Sequence, residues 1–137
     1  MPIGFQVSFD ANDPAALGAF WGLALGYVEQ PPPTGFDTWE AFAEANDIPA
    51  EDHGNMYAII DPQGPGRLLF QKVPEGKSAK NRLHLDVNVG QGQDWSTVEA
   101  HATALVEAGG TLVEERRDAH SRWIVMTDPE GNELCLQ

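Results

Sequence analysis

The chain has 137 residues and 42% hydrophobic content, enough for one domain that buries roughly two thirds of its unfolded surface. Its formal net charge of −13 argues against nucleic acid, whose phosphates call for Lys and Arg, and against anionic membrane surfaces. A small anionic ligand stays open, since it needs only one local positive group. A single cysteine rules out an internal disulfide, and no signal peptide or long apolar run is visible, so a cytoplasmic protein is the expectation.

Ile3, Phe5, Val7 and Phe9 alternate with Gly4, Gln6, Ser8 and Asp10, the period of a strand with one apolar and one polar face. Asp13-Pro14 then supplies an N-cap and a Pro at the first helical position. Leu17, Phe20, Trp21 and Ala24 form one helical stripe, and Gly26 is placed to end that helix. Residues 27–30, 55–60 and 67–73 read as three further strands. The last two are joined by Asp61-Pro62-Gln63-Gly64, in which Pro presets one turn dihedral and Gly accepts positive φ. Residues 31–54 are an insertion that opens with Pro31-Pro32-Pro33; Phe36, Trp39, Glu40 and Phe42 suit a short helix ended before Pro49. Residues 74–81 are polar, carry Lys77 and Lys80, and read as a solvated linker.

The order then repeats. Leu83, Leu85, Val87 and Val89 alternate with Arg82, His84, Asp86 and Asn88. Asp94 or Ser96 caps a second helix, Ser96 and Glu99 having capping-box spacing. Val98, Ala102 and Leu105 carry its apolar stripe, and Gly109-Gly110 ends it. Strands follow at 111–115, 121–127 and 133–137, the last two joined by Asp128-Pro129-Glu130-Gly131. The recurring Asp-Pro-X-Gly turn points to a duplicated unit. The predicted fold class is α+β: paired βαβββ modules forming curved mixed sheets with helices outside. Module one is 1–73 with the insertion 31–54, the linker is 74–81, and module two is 82–137.

One helix covers one face of each sheet. The apolar sets Ile3/Phe5/Val7/Phe9 and Leu83/Leu85/Val87/Val89 are expected under the helices. Gln6, Ser8, Asp10, His84, Asp86 and Asn88 then line the opposite face, joined by Glu133, Cys135 and Gln137 from the final strand. His84 is the first candidate for function, as a general base or a hydrogen-bond partner of a ligand, against the plainer reading of a satisfied structural histidine. Asp86 either orients His84 or pairs with Arg82. Cys135 reads as a half-buried strand thiol or a nucleophile, although no cation adjoins it in sequence. Trp39 and Trp123 are candidates for an aromatic pair facing a flat or apolar ligand.

The segments FQVSFDANDPAALGAFWGLALGY (5–27), LLFQKVPEGKSAKNRLHLDV (68–87) and TDPEGNELCLQ (127–137) resemble the vicinal oxygen chelate superfamily of glyoxalases, bleomycin-resistance proteins and extradiol dioxygenases. They look most like its glyoxalase-like subgroup. That family takes metal ligands from the first and last strands of each module. By position these are Gln6 and His84, then Cys135, with Leu69 or Gln71 as the module-one counterpart. Both carboxylates of the usual ligand set are missing, so the resemblance implies a protein that binds a small organic molecule, without a conventional divalent-metal site. The alternative is a lyase or isomerase acting on a small oxygenated substrate, with His84 as base or metal ligand and a divalent ion held by His84, Asp86 and Glu133. A homodimer is expected from the same resemblance.

Overall fold

The computed structural model describes residues 1–90, 92 and 94–137. The first module holds strand β1 (Val7–Ala11), helix α1 (Pro14–Leu25), strand β2 (Val28–Glu29), helix α2 (Trp39–Ala45), a single 3-10 turn (Ala50–Asp52), and strands β3 (Met56–Ile60) and β4 (Arg67–Lys72). The second holds β5 (Leu85–Val87), α3 (Trp95–Glu107), β6 (Thr111–Arg117), β7 (Arg122–Thr127) and β8 (Glu133–Leu136). The strands form two four-stranded sheets of the same plan, ordered β1-β4-β3-β2 and β5-β8-β7-β6. In each, the first strand runs parallel to the last, and the other pairs are antiparallel. The architecture is α+β with mixed sheets, as the repeat implied.

Local chemistry accounts for the first helix. The Asp13 side chain accepts from the Ala16 N–H, Pro14 occupies the first turn, and Gly26 closes the helix at φ 72°. For α3 the N-cap is Asp94, not Ser96, and no side-chain bond forms there. Leu17, Phe20, Trp21 and Ala24 of α1 and Val98, Ala102 and Leu105 of α3 join Ile59, Leu68, Phe70, Ile124, Met126, Leu134 and Leu136 in one apolar cluster. The two modules therefore pack within one chain. Gly110 lies where an added Cβ would come within 2.9 Å of the Phe20 ring, so the end of α3 sits tightly on α1. His101 adds a bond from its Nε2 to the Ala24 carbonyl at 2.9 Å.

A second joint is polar. Asp128, 2% exposed, is the buried charged residue among those described. It accepts from the Trp21 indole at 3.0 Å, so the turn of module two grips the helix of module one. Glu130 of the same turn accepts from the Asn12 and Asp13 backbone N–H groups at 2.6 and 3.1 Å. The matching Asp61 is half-buried and only closes its own turn, accepting from Gln63 N–H at 2.8 Å.

Two expectations fail here. Ile3 and Phe5 are each 93% exposed and Leu83 is 76% exposed, so they do not lie under the helices. The first strands begin later than the alternation suggested, at Val7 and Leu85, and their partners β4 and β8 extend only one residue beyond those pairs, so Ile3, Phe5 and Leu83 have no strand beside them. The linker is not simply solvated either. Lys77 is half-buried, pairs with Glu133 at 3.2 Å, and donates to the Ala79 carbonyl.

Candidate functional site

Strand parity decides which side chains face away from the helices. Leu68 and Phe70, at 4% and 0% exposure, point inward, so Arg67, Leu69 and Gln71 of β4 point outward. Ser8 lies opposite Leu69, and Asp10 opposite Gln71, whose amide donates to it at 3.2 Å. In module two Leu134 and Leu136 are fully buried, which turns Glu133 and Cys135 outward. Asp86 lies opposite Cys135, as Ser8 lies opposite Leu69. Cys135 also faces Val125, which places Trp123, two residues earlier on β7, on the same open face opposite Arg116.

Module two gathers a reactive group. His84 Nδ1 lies 2.8 Å from an Asp86 carboxylate oxygen, and both side chains are nearly half exposed. With Cys135, their ligating atoms all fall within 4.8 Å of one another. The Asp86 contact makes Nδ1 the donor in a neutral imidazole and leaves Nε2 free to accept a proton or a ligand hydrogen bond. Asp86 thus orients His84. Burial pushes the Cys135 thiol above its ordinary pKa, the Asp86 carboxylate adds to this, and Arg116 and Lys80 offset it only in part. Cys135 is therefore a protonated thiol at neutral pH, the opposite of an activated nucleophile.

Glu133 belongs to a different group. It accepts from the Asn81 N–H at 2.9 Å and pairs with Lys77, so it staples the linker to β8. Partial burial works against its charge, yet the backbone N–H bonds and Lys77 outweigh that and hold the carboxyl below its ordinary value. A lowered folded-state pKa contributes stability that is present above the unfolded glutamate value and lost as pH falls through the folded one. Glu133→Gln should therefore lower stability near neutral pH and flatten the acid limb of a urea-denaturation series. An unchanged acid limb would show that the staple carries no linkage.

Gln6 is hydrogen-bonded within module one. Its side-chain carbonyl accepts from the Arg67 guanidinium, and its amide donates to Ser8 Oγ at 3.2 Å. Arg67 Nε also donates to the Gln30 side chain at 2.8 Å, and the Gln30 backbone carbonyl accepts from the Trp39 indole at 2.8 Å. Trp39 packs edge-on against Phe42, which packs edge-on against Phe36. The insertion is thus tied to the open face through Gln30, whereas His53 bonds only inward, to the Ile48 carbonyl. Trp39 and Trp123 fall on different modules. Sequence reasoning missed Arg67; the signal was the repeat itself, which aligns Arg67 with Glu133.

The two groups meet at the seam. No backbone pairing joins β1 to β5 among the described residues. A cavity of about 310 Å³ lies there, lined by the polar Ser8, Asp10, Arg82, His84 and Glu133 together with the apolar Phe9 and Trp21.

The family described as "Glyoxalase-like domain" matches residues 6–137. None of the curated proteins matches the chain. Among solved structures, the fosfomycin resistance protein FosX from Mesorhizobium loti has a TM-score of 0.66 at 12% identity, over 100% of this chain and 92% of that one. A glyoxalase/bleomycin resistance protein/dioxygenase family enzyme from Burkholderia phytofirmans scores 0.64 at 17% identity, over 96% and 94%. The bleomycin-binding protein of Streptomyces verticillus, solved with copper(II)-bleomycin, scores 0.56 at 14% identity, over 100% and 96%. At these identities the likeness is one of fold.

Proposed function

We propose that this chain, which belongs to the glyoxalase-like domain family of the vicinal oxygen chelate superfamily, binds a small organic molecule on the open face of its sheets, at the seam between the modules. One observation carries the reading: Ser8 and the Asp86-oriented His84 line a single cavity together with the apolar Phe9 and Trp21. His84 Nε2 is the group that would accept a hydrogen bond from the ligand. A chain of this composition, with no helix long and apolar enough to cross a membrane among the described residues, is proposed to work in the cytoplasm.

A second reading rests on the cluster of His84, Asp86 and Cys135. One nitrogen, one oxygen and one sulfur suit zinc better than the oxygen-loving Mg or Mn. Bound there, such an ion would supply Lewis-acid chemistry for a lyase or isomerase. The raised thiol pKa opposes it, because the proton on Cys135 has to leave first. Among the described residues the cluster does not include Glu133, whose carboxylate is engaged by Lys77 and Asn81.

The test is elemental analysis of untagged protein, before and after loading with Zn, Ni, Mn and Fe(II). Substoichiometric metal throughout is the expected result. One metal per chain, lost in His84→Ala, would overturn the metal-free reading and restore the enzyme.

The proposal includes a homodimer. Phe5 and Leu83 occupy equivalent places in the repeat, and with Ile3 they leave large apolar surface uncovered. Sedimentation should show a dimer weakened by Phe5→Ser combined with Leu83→Ser; a monomer at high micromolar concentration would remove this part of the proposal.

A further inference from the structure

The chain holds 8 Lys and Arg against 21 Asp and Glu, so a cation has acids in plenty to choose from. Among the described residues Lys77, Arg116 and Arg122 each take one, while Lys72, Lys80, Arg82 and Arg117 take none and lie exposed to water. Arg67 takes none either, yet it is not exposed. It is half-buried on the open face, and among the described residues it forms no ion pair. Two neutral amide oxygens, from Gln6 and Gln30, hold it instead. Asp10, the acid on that face of β1, is bonded by Gln71. A guanidinium has five N–H donors, so about three remain for a ligand.

Neutral oxygens orient a guanidinium without cancelling its charge. Partial burial strengthens the field that remains and makes an uncompensated charge costly until an anion arrives. The repeat makes the point sharper: the equivalent residue in module two, Glu133, is neutralised by Lys77, whereas Arg67 is not. Arg82, exposed and also without an ion pair among the described residues, lines the seam cavity beside Ser8 and His84. Ser8 belongs to both places, since Gln6 donates to it.

We propose that Arg67, positioned by Gln6 and Gln30, is an oxyanion-recognition residue, and that the molecule bound on the open face carries a carboxylate. This rests on the binding reading above and names its ligand class. A single negative charge fits better than a polyphosphate, because one guanidinium works against a net charge of −13. The Gln30–Trp39 bond extends the assignment to the insertion, which holds the amide that aims Arg67.

The test uses the full chain, the ¹⁵Nε–H resonance of Arg67, and two probes at constant ionic strength: sodium phenylacetate and its neutral counterpart phenylacetamide. Phenylacetate should move the Arg67 resonance saturably and phenylacetamide should not. Arg67→Gln should weaken phenylacetate binding about 10-fold or more, with Arg67→Lys in between because the planar fork is lost. Arg117→Gln, on the exposed strand β6, should change nothing. An Arg67 resonance that ignores phenylacetate, or answers both probes alike, overturns the proposal. If both probes shift His84 and Ser8 while Arg67 stays still, the open face binds ligands and only the anion assignment falls. If neither probe shifts any open-face residue, both readings fall together.

Discussion

Asp128→Ala is expected to lower stability by about 2–4 kcal/mol, a large part of the total for a domain of this kind. Asp128 accepts from the Trp21 indole at 3.0 Å, the Glu130 N–H at 2.9 Å, the Asn132 N–H at 3.0 Å and the Asn132 amide at 2.8 Å. The Asn132 and Glu130 groups lie close enough to the surface to recover water. Trp21, 1% exposed, does not, so its N–H is left buried and unpaired. The melting temperature should fall on the order of 5–15 °C. Asp128→Asn, which keeps the shape but turns donors toward donors, should fall between. Trp21→Phe removes one donor and leaves the others, for a loss of about 1–2 kcal/mol. Asp61→Ala, at the same place in the same tetrapeptide, should cost under about 1 kcal/mol, because one exposed turn bond is all it removes. Equal losses at Asp61 and Asp128 would show that the buried contact to Trp21 does not join the modules.

Gly18→Ala should destabilise by about 1–3 kcal/mol, against the usual direction. In a helix interior this change normally gains about 1 kcal/mol. Here a Cβ would stand 2.3 Å from Tyr57 Cδ1 and 2.5 Å from Cε1, with Phe70 Cδ2 at 3.4 Å. Helix α1 approaches β3 and β4 this closely only because Gly18 has no side chain. The Tyr57 ring is the part able to move, toward the groove lined by Gly18, Gly22, Leu23 and Tyr27. Burial, and then the nearby Glu29 charge, push the Tyr57 phenol above its ordinary pKa. A displaced ring should therefore titrate lower in the ultraviolet than the wild-type ring. Gly18→Ala with Tyr57→Ala should cost less than the sum of the two changes, since removing the ring removes the collision. Additive losses and an unmoved tyrosine titration would place the strain elsewhere.

Much of the architecture was legible in the chain. Asp13-Pro14 and Gly26 bounded α1, and the stripes of Leu17/Phe20/Trp21 and Val98/Ala102/Leu105 named core residues that the structure buries. The repeated Asp-Pro-X-Gly marked both hairpins. The ends of the first strands were not legible, because alternation in Ile3, Phe5 and Leu83 continues past the point where a partner strand stops. Of the site, the parity of His84, Asp86, Glu133 and Cys135 followed from sequence. Their grouping did not: Glu133 left for Lys77, and Gln6 for Arg67.

The division has a physical reason. Caps, turns and hydrophobic period are settled among residues within a few positions of each other, so composition and order determine them wherever the chain goes. Gln6 with Arg67 is 61 residues apart, Lys77 with Glu133 56, and Trp21 with Asp128 107. Those meetings depend on strand register and on how one module docks against the other. The sequence alone thus determined two βαβββ units with one polar face each. Only the tertiary structure decided that Asp128 locks them together, that His84 faces Asp86 and Cys135, and that Arg67 is left with neutral partners.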